Sequence, residues 1–428
     1  MRTEWCVQED FSMPFRLALV GCGGQAGGDV PNIASHKEVK IVAVCDPDKG
    51  AQARFGERYG VPESARFADY AKLLNTVECD AVFCATPDHM HAAVGLKALS
   101  LGRHAYVQKP LTRGVGEARA MRQAAEKHPK SATQMGIQIH GEGSYRTAIS
   151  WLQAGVLGNI QEIHSFCGKG WGGTRPPRMA EPPPANLDWN LYCGVSRRVG
   201  FIPEEFHPGN WRRWQNFGTG TLGDMACHIL DPVLAGTRLS TPLSVVSHLE
   251  APPNVLNFPY NAHITWQLAG VRNTAKTVAL HWYHGDTRPA KSLLPELFEE
   301  LNTGSVVIGE HGKMVVPHWA TPSVWDNSGK RVEKLPPKVE SVSHYHEWVD
   351  VALGRIPGHG STPGKCSTHF GYSGPLTEIV LMGNIASWQP KKVLSFNPDT
   401  CQFYGDGASD ANFRILPLYG KDWNPLAA

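Results

Sequence analysis

Between Phe15 and about Gly136, short β-rich apolar runs alternate with amphipathic helical stretches, a pattern that points to βαβ units around a parallel sheet. Phe15–Val20, Val39–Cys45, Ala81–Ala85, His104–Val107 and Ser131–Met135 are the strand candidates, giving five or six parallel strands. The first runs straight into Gly21-Cys22-Gly23-Gly24-Gln25-Ala26-Gly27, a G-x-G-x-x-A/G turn followed by helical sequence. Glycines there permit the tight bend and let backbone N–H groups approach a pyrophosphate at the positive end of the helix dipole. Such a turn also occurs without a nucleotide. The second strand, however, ends in Val44-Cys45-Asp46, where a carboxylate can accept from both ribose hydroxyls and would repel a 2′-phosphate. Turn and acid together point to NAD rather than NADP, although Asp46-Pro47-Asp48 also reads as an ordinary turn.

At 428 residues, size scaling predicts two domains. We place a Rossmann dinucleotide-binding domain at 13–140 and a substrate-binding and oligomerisation α+β domain at 141–428. A helix near Tyr145–Ala154 leads through Ala154–Gly158 into a strand at Ile160–Phe166. Ser244–Glu250, His263–Leu268, Thr277–Trp282 and Ser305–Val316 read as strands with no regular helix between them, which predicts a largely antiparallel sheet. Helices are expected at His344–Leu353 and Gly374–Ser387. The Gly- and Pro-rich stretch Gly168–Leu187, with Arg175-Pro176-Pro177 and Pro182-Pro183-Pro184, reads as an extended polyproline-like loop, either a connector or a lid over substrate.

The 41 basic and 39 acidic residues leave a net charge of +2, which argues against a nucleic-acid footprint or a polybasic membrane surface. Ten cysteines are scattered without C-x-x-C or zinc-finger spacing, a usage that fits a reducing cytoplasm. No apolar run approaches the ~20 residues of a membrane span. The first dozen residues lack a signal peptide's apolar centre and are expected to be mobile. The expected partner is therefore a small molecule.

Three further motifs follow in order: Thr86-Pro87-Asp88-His89-Met90-His91, Gln108-Lys109-Pro110 and Gly223-Asp224-Met225-Ala226-Cys227-His228. With Ala154–Gly158 and Gly374-Pro375-Leu376-Thr377-Glu378 they make the chain resemble the Gfo/Idh/MocA oxidoreductases from Phe15 to Trp423. The resemblance implies a Rossmann domain, then an open-faced sheet domain, with the active site in the cleft between them and dimers or tetramers formed through the sheet. It also implies that the lysine of E-K-P and an Asp-x-x-x-His pair act on substrate. Here Gln108 replaces the usual Glu and deprives Lys109 of the expected neighbouring carboxylate. Trp211-Arg212-Arg213-Trp214 with Gly218–Met225 is similar to a branch carrying W-R-x-W and G-T-G-x-L-G-D-M.

Alcohol oxidation needs a base for the hydroxyl proton, a group that tolerates the alkoxide and a nicotinamide aligned to take hydride. We assign His228 as the base, Asp224 as a substrate-orienting group that favours the imidazolium, and Lys109 as the electrostatic stabiliser. Spacing alone equally allows Asp224 as an N-cap and His228 as a packing residue. Cofactor contacts are expected from Gly21, Gly23, Gly24, Gln25, Ala26, Asp46, Thr86, Pro87, His91, Gln108 and Lys109. Thr86-Pro87 also reads as a loop start, and His91 as a helix-surface residue. Gln138, His140, Trp211 and Arg212 are the substrate-side candidates; Trp211, Arg212 and Trp214 form either a sugar-stacking wall or core packing. His89/His91 and His344/His346 lack a converging carboxylate or cysteine set, so no metal is expected. The expected activity is an NAD-dependent dehydrogenase of a sugar, sugar derivative or inositol-like polyol. The alternatives are an NAD-dependent glycosidase working by transient oxidation and elimination, and a non-catalytic NAD-binding regulator.

Overall fold

Strands buried on both faces must be covered on both, and the first third of the chain does this with helices on either side of one sheet. The computed structural model describes residues 14–173, 178–293, 301–356, 364–420 and 423. The N-terminal dozen and Arg175-Pro176-Pro177 therefore lie outside the described residues.

The first sheet comprises β1 (Phe15–Val20), β2 (Val39–Cys45), β3 (Arg66–Phe67), β4 (Ala81–Cys84), β5 (His104–Gln108) and β6 (Thr133–Gly136). Its order is 3-2-1-4-5-6 and every pair is parallel. That order reverses direction between β1 and β4, so their C-terminal ends open the crevice in which such sheets bind ligands. The crossovers are α1 (Ala26–Ala34), α2 (Lys49–Arg58), α3 (Tyr70–Thr76), α4 (His91–Ser100) and α5 (Val115–Lys127). Local chemistry starts several of them. Asp48 and Asp69 accept from first-turn amides of α2 and α3, and Glu117 reaches back to the amides of Arg113 and Gly114 at the head of α5.

The second sheet is built from β7 (Ile160–Cys167), β8 (Pro242–Ser247), β9 (Ala262–Ala269), β10 (Thr274–His284), β11 (Thr303–Gly309), β12 (Gly312–Pro317), β13 (Ser323–Asp326), β14 (Leu394–Asn397) and β15 (Gln402–Tyr404). Its order is 13-12-11-7-10-9-8-14-15, and only β7 with β10 is parallel. The expected single strand Ser305–Val316 is instead the hairpin β11–β12. The turn at Glu310-His311 ends with Gly312 at φ +143°, which a side-chain-bearing residue would resist. The short strands β3, β13, β14 and β15 were not anticipated.

Helix α8 (Cys227–Thr237) and the helix Phe370–Ala386 cover one face of this sheet, with α6 (Gly143–Gln153) packed on α8; α7 (Trp189–Cys193) is a short helix between α6 and α8 in the chain. The helix Phe370–Ala386 also packs on α5, where Arg119 donates to both oxygens of Glu378 at 2.8 and 2.6 Å. All nine described cysteines are buried and free. The segment 187–217 forms a separate aromatic cluster of Tyr192, Phe201, Phe206, Trp214 and Phe217, with Trp189 packed against it. The helix His344–Ala352 returns to the first domain, so that Trp348 and Val349 share a core with Leu17, Leu19 and Val30.

Removing the arginine of the α5 clamp strands a buried carboxylate. Arg119→Ala should cost about 3–5 kcal/mol, read as a lower urea midpoint, and an unchanged midpoint would show that the clamp contributes nothing.

Candidate active site

The glycine turn after β1 is shaped by two demands. Gly21 sits at φ +90°, and a Cβ there would come within 2.6 Å of the Ala85 carbonyl carbon and oxygen, so only glycine closes the β1–β4 gap. At Gly23 and Gly24, by contrast, an added Cβ would meet nothing within 4 Å; this part of the bend faces open space. Asp46, buried at the end of β2, accepts from the amides of Cys22 and Asp48, both at 2.8 Å, and so ties the turn to the second strand. An open cradle of backbone at the head of α1 with an acid beside it fits a pyrophosphate and a ribose.

Gly21, Gly23, Gly24, Gln25, Asp46, Thr86, Pro87, Gln108 and Lys109 line one cleft. Its opposite wall is Leu191, Tyr192, His207, Pro208, Trp211 and Arg212. That wall is latched to the first domain. His207 Nε2 lies 3.1 Å from Asp48 Oδ2, Asn186 donates to Asp48 Oδ1 at 2.9 Å, and the Lys49 and Asp188 amides bond the Asn186 and Pro47 carbonyls. The Gly168–Leu187 stretch thus ends docked on the cofactor side, and the residues after it roof the cleft.

Two expected cofactor contacts lie elsewhere. Ala26 is fully buried in the core beneath α1. His91 is wedged between the carbonyls of Pro110 and Thr86 at 2.7 and 2.9 Å, and burial holds its imidazole down at about 4. It braces the two cleft loops and does not line the cleft.

Beside the cleft, β5 delivers Lys109, whose peptide bond to Pro110 is cis. Asp224 lies in a single π-helical turn, Leu222–Ala226, that opens α8, a device common at functional sites. Lys109 Nζ donates to both Asp224 Oδ1 and the Asp224 carbonyl at 2.8 Å. Lys169 Nζ donates to Oδ2 at 2.8 Å, Trp171 Nε1 to Oδ2 at 2.6 Å, and Arg212 Nε to Oδ1 at 3.2 Å. Burial alone would raise this carboxyl, but Lys109, Arg212 and Lys169 outweigh it and hold it well below the usual carboxylate range. Asp224 is therefore ionised and saturated. It caps no helix and makes no hydrogen bond to His228.

His228, the second residue of α8, is buried with no partner for Nδ1. Burial, then the charge of Lys109 and the nearby His318, push its pKa well below the ordinary histidine value. Asp224 pulls the His228 pKa upward, the direction expected of it, but burial, Lys109 and Lys169 outweigh that pull and hold the imidazole neutral. His318, 6.2 Å from the His228 ring, is itself lowered to about 4, mainly by burial, and its Nδ1 meets Tyr145 OH at 2.8 Å. Asp88 lines the cleft, takes a 2.5 Å bond from Thr219 Oγ1, and is pushed by burial up to about 7.

Gln108 resolves the missing Glu. Its Nε2 donates to Asp29 of α1 at 2.5 Å and its Oε1 accepts from the Lys109 amide at 3.0 Å. Asp29 is buried among three donors, Gln25, Gln108 and Tyr345, so a carboxylate already occupies this locality and an amide is the side chain that can face it. Lys109 finds its carboxylate in Asp224 instead.

Among the substrate-side candidates, Arg212 stacks on Trp211 with its guanidinium 4.4 Å from the ring, and both line the cleft. Trp214 is buried against Phe206 in the aromatic cluster and is packing. His140 is not brought to Lys109. Its Nδ1 meets both oxygens of buried Asp231 at 2.9 Å, and it borders a separate cavity of about 530 Å³ with Arg146, Arg238 and Tyr372. Gln138 is half-buried with Oε1 unpartnered and is absent from the cleft wall. His89 Nε2 is taken by the Tyr192 carbonyl, and His346 Nε2 by Ser35.

Lys169, Trp171, Asp88 and Asp29 escaped the sequence reading. Asp88 stood inside the Thr86–His91 motif with no role assigned, and Asp29 left a signal as the one charged residue of α1; Lys169 and Trp171 stand singly in a glycine-rich loop.

A sheet of order 3-2-1-4-5-6 with an open glycine cradle at its reversal point, beside which Lys109 from the end of β5 meets Asp224 from the helical layer of the second sheet, is the arrangement of an NAD-binding Rossmann fold. Residues 15–135 match the model of the GFO_IDH_MocA family, an oxidoreductase family with an NAD-binding Rossmann fold. The match covers the region of the first sheet and none of the second. Levoglucosan dehydrogenase of Pseudarthrobacter phenanthrenivorans is 23% identical over 192 residues, 45% of this chain and 40% of that protein. A glycosyl hydrolase family 109 protein of Shewanella pealeana is 26% identical over 231 residues, 51% of this chain and 48% of the relative. The chain thus spans half or less of the length of these curated relatives. An inositol dehydrogenase homologue of Azotobacter vinelandii, solved with NADH and myo-inositol, shares the fold with a TM-score of 0.60 at 16% identity, over 90% of this chain and 98% of that one.

Gln108→Glu sets a second carboxylate against Asp29 and should cost about 1–3 kcal/mol of stability at neutral pH. Adding Asp29→Asn restores an amide–carboxylate pair and should recover most of it. Urea titrations in which the double variant is no more stable than the single would refute this account.

Proposed function

We propose that the protein is an NAD-dependent oxidoreductase that moves hydride between a ring hydroxyl of a sugar, sugar derivative or inositol-like polyol and the nicotinamide. The observation that carries this reading is the meeting of Lys109 and Asp224 at 2.8 Å beside the open glycine cradle, with a neutral His228 next to them. NAD, when bound, supplies the hydride acceptor; Gly23, Gly24 and Asp46 would hold its pyrophosphate and ribose, with Thr86 and Pro87 along the same cleft.

The chain's own residues do the rest. An imidazole kept neutral by burial is in the form that accepts the hydroxyl proton, so His228 serves as base. Lys109, Lys169 and Arg212 around one carboxylate leave a surplus of positive charge, which stabilises the alkoxide as the proton leaves. Trp211, with Arg212 laid on it, gives an aromatic and hydrogen-bonding edge suited to a polyol ring. The match to family 109 glycosyl hydrolases favours one second reading, in which the same oxidation is transient and serves glycoside cleavage. No helix among the described residues is long and apolar enough to cross a membrane. We further propose a cytoplasmic homodimer or homotetramer assembled through the second sheet.

Lys109→Ala and His228→Ala should each lower kcat/KM by about 10²–10⁴-fold while NAD affinity stays within about threefold. The panel should pair free sugars and polyols with aryl glycosides. Net NADH from a free polyol supports the dehydrogenase, whereas glycoside cleavage with NAD retained selects the second reading; full turnover in both variants would remove these residues from the site. A base whose pKa is depressed remains competent until the pH falls through that lowered value. The acid limb of kcat/KM should therefore lie below 6.5, the ordinary histidine value; a limb centred at or above it would contradict the assignment of His228.

A further inference from the structure

The face of the second sheet turned away from the helices carries imidazoles that the proposed reaction does not use. Strand alternation puts them there. The Ser165 and Ser305 hydroxyls bond each other at 2.7 Å, and Ser305 donates to the Ile229 carbonyl of α8, so Glu162 and His164 of β7 face the other way. On β10, Leu280 and Trp282 join the helix-side core while His281 and Tyr283 alternate outward. His281 stands directly across from His164 in the parallel register.

Glu162 Oε1 lies 3.2 Å from His164 Nε2 and 3.0 Å from His281 Nε2, and the three atoms all fall within 4.8 Å of one another. A tetrahedral zinc ion with bonds of about 2.0–2.1 Å holds its ligand atoms roughly 3.3 Å apart. The two carboxylate–imidazole edges therefore already have nearly the right length. The outer nitrogens are supported: His164 Nδ1 is 3.2 Å from Tyr283 OH, and His281 Nδ1 is 3.0 Å from Thr265 Oγ1. Such outer partners turn a ligating histidine's other nitrogen toward the ion. His164 is 7% exposed, and its Nε2 is turned onto the Glu162 carboxylate, which His281 Nε2 shares from the neighbouring strand.

We propose that Glu162, His164 and His281 form a binding site for a divalent transition-metal ion, with zinc the best match and water in the fourth position. Two imidazoles and one carboxylate suit zinc, cobalt or nickel, whereas calcium and magnesium take oxygen ligands. Closure requires one movement. The rings are stacked 4.6 Å apart at 8°, and one must turn out of the stack for both Nε2 lone pairs to meet a single ion. Because the ligands come from alternate residues of one strand and the facing position of another, no linear motif announces them.

The test uses tag-free full-length protein, stripped with a chelator and titrated with Zn²⁺ and Co²⁺. About one ion per chain should bind, and the cobalt form should show visible bands of a nitrogen–oxygen site without a thiolate charge-transfer band. His281→Asn and Glu162→Gln, each with an unchanged circular-dichroism melt, should weaken binding by at least about tenfold, and Tyr283→Phe by about tenfold. No retention at micromolar metal, a thiolate band, or equal binding by both ligand variants would overturn the site.

Discussion

The Asp224 carboxylate is the point on which the cleft depends. It is buried, and removing a carboxylate from water costs several kcal/mol unless its lone pairs are filled and its charge is met. Here the donors come from three separate parts of the chain: Lys109 from the end of β5, Lys169 and Trp171 from beyond β7, and Arg212 from the turn Asn210–Arg213. Each of these segments can satisfy Asp224 in only one relative position. The ion cluster therefore sets how the first domain, the second sheet and the aromatic segment meet. It also decides the electrostatics of the site, since one carboxylate among three cations leaves a field suited to an oxyanion.

The aromatic segment contributes a second constraint. Its core of stacked and edge-on rings, such as Trp189 on Tyr192 at 5.0 Å, makes it rigid enough to act as a wall. Its anchors are polar and lie at its margins. His207 meets Asp48, and Arg113 donates to Ser196 Oγ at 2.8 Å and to the Asn216 carbonyl at 2.5 Å. The cofactor cleft is thus closed by residues that follow β7 in the chain, while its floor is made from the first 109 residues.

The parallel sheet was readable because strands buried on both faces appear as short apolar runs and because the glycine turn is a local signal. Lys109, Asp224 and His228 were legible only as a set of motifs in order; their spacing allowed a bland capping and packing account. Where the reading failed, the cause was tertiary. Nothing local shows that Asp224 would also be met by Lys169 and Trp171, or that burial and Lys109 would outweigh its pull on the His228 imidazole. Glu310-His311 carries no strong turn signal ahead of Gly312, and two strands merged into one. His91 sits in a cofactor-side motif, yet both ring nitrogens are committed to carbonyls. Trp211 and Trp214 looked equivalent, and only packing shows that one lines the cleft and the other fills a core.

The return of the helix His344–Ala352 bears on how the chain is made. Trp348 is fully buried against Phe15 and Tyr106 and donates to the Ala132 carbonyl at 3.2 Å, while Tyr345 bonds Asp29 at 2.7 Å beneath the glycine turn. An emerging polypeptide would thus hold its first sheet unfinished, with an indole-sized slot empty, until more than two hundred later residues had left the ribosome. Late-arriving sequence, and not the early βαβ units alone, completes the platform on which the dinucleotide would rest.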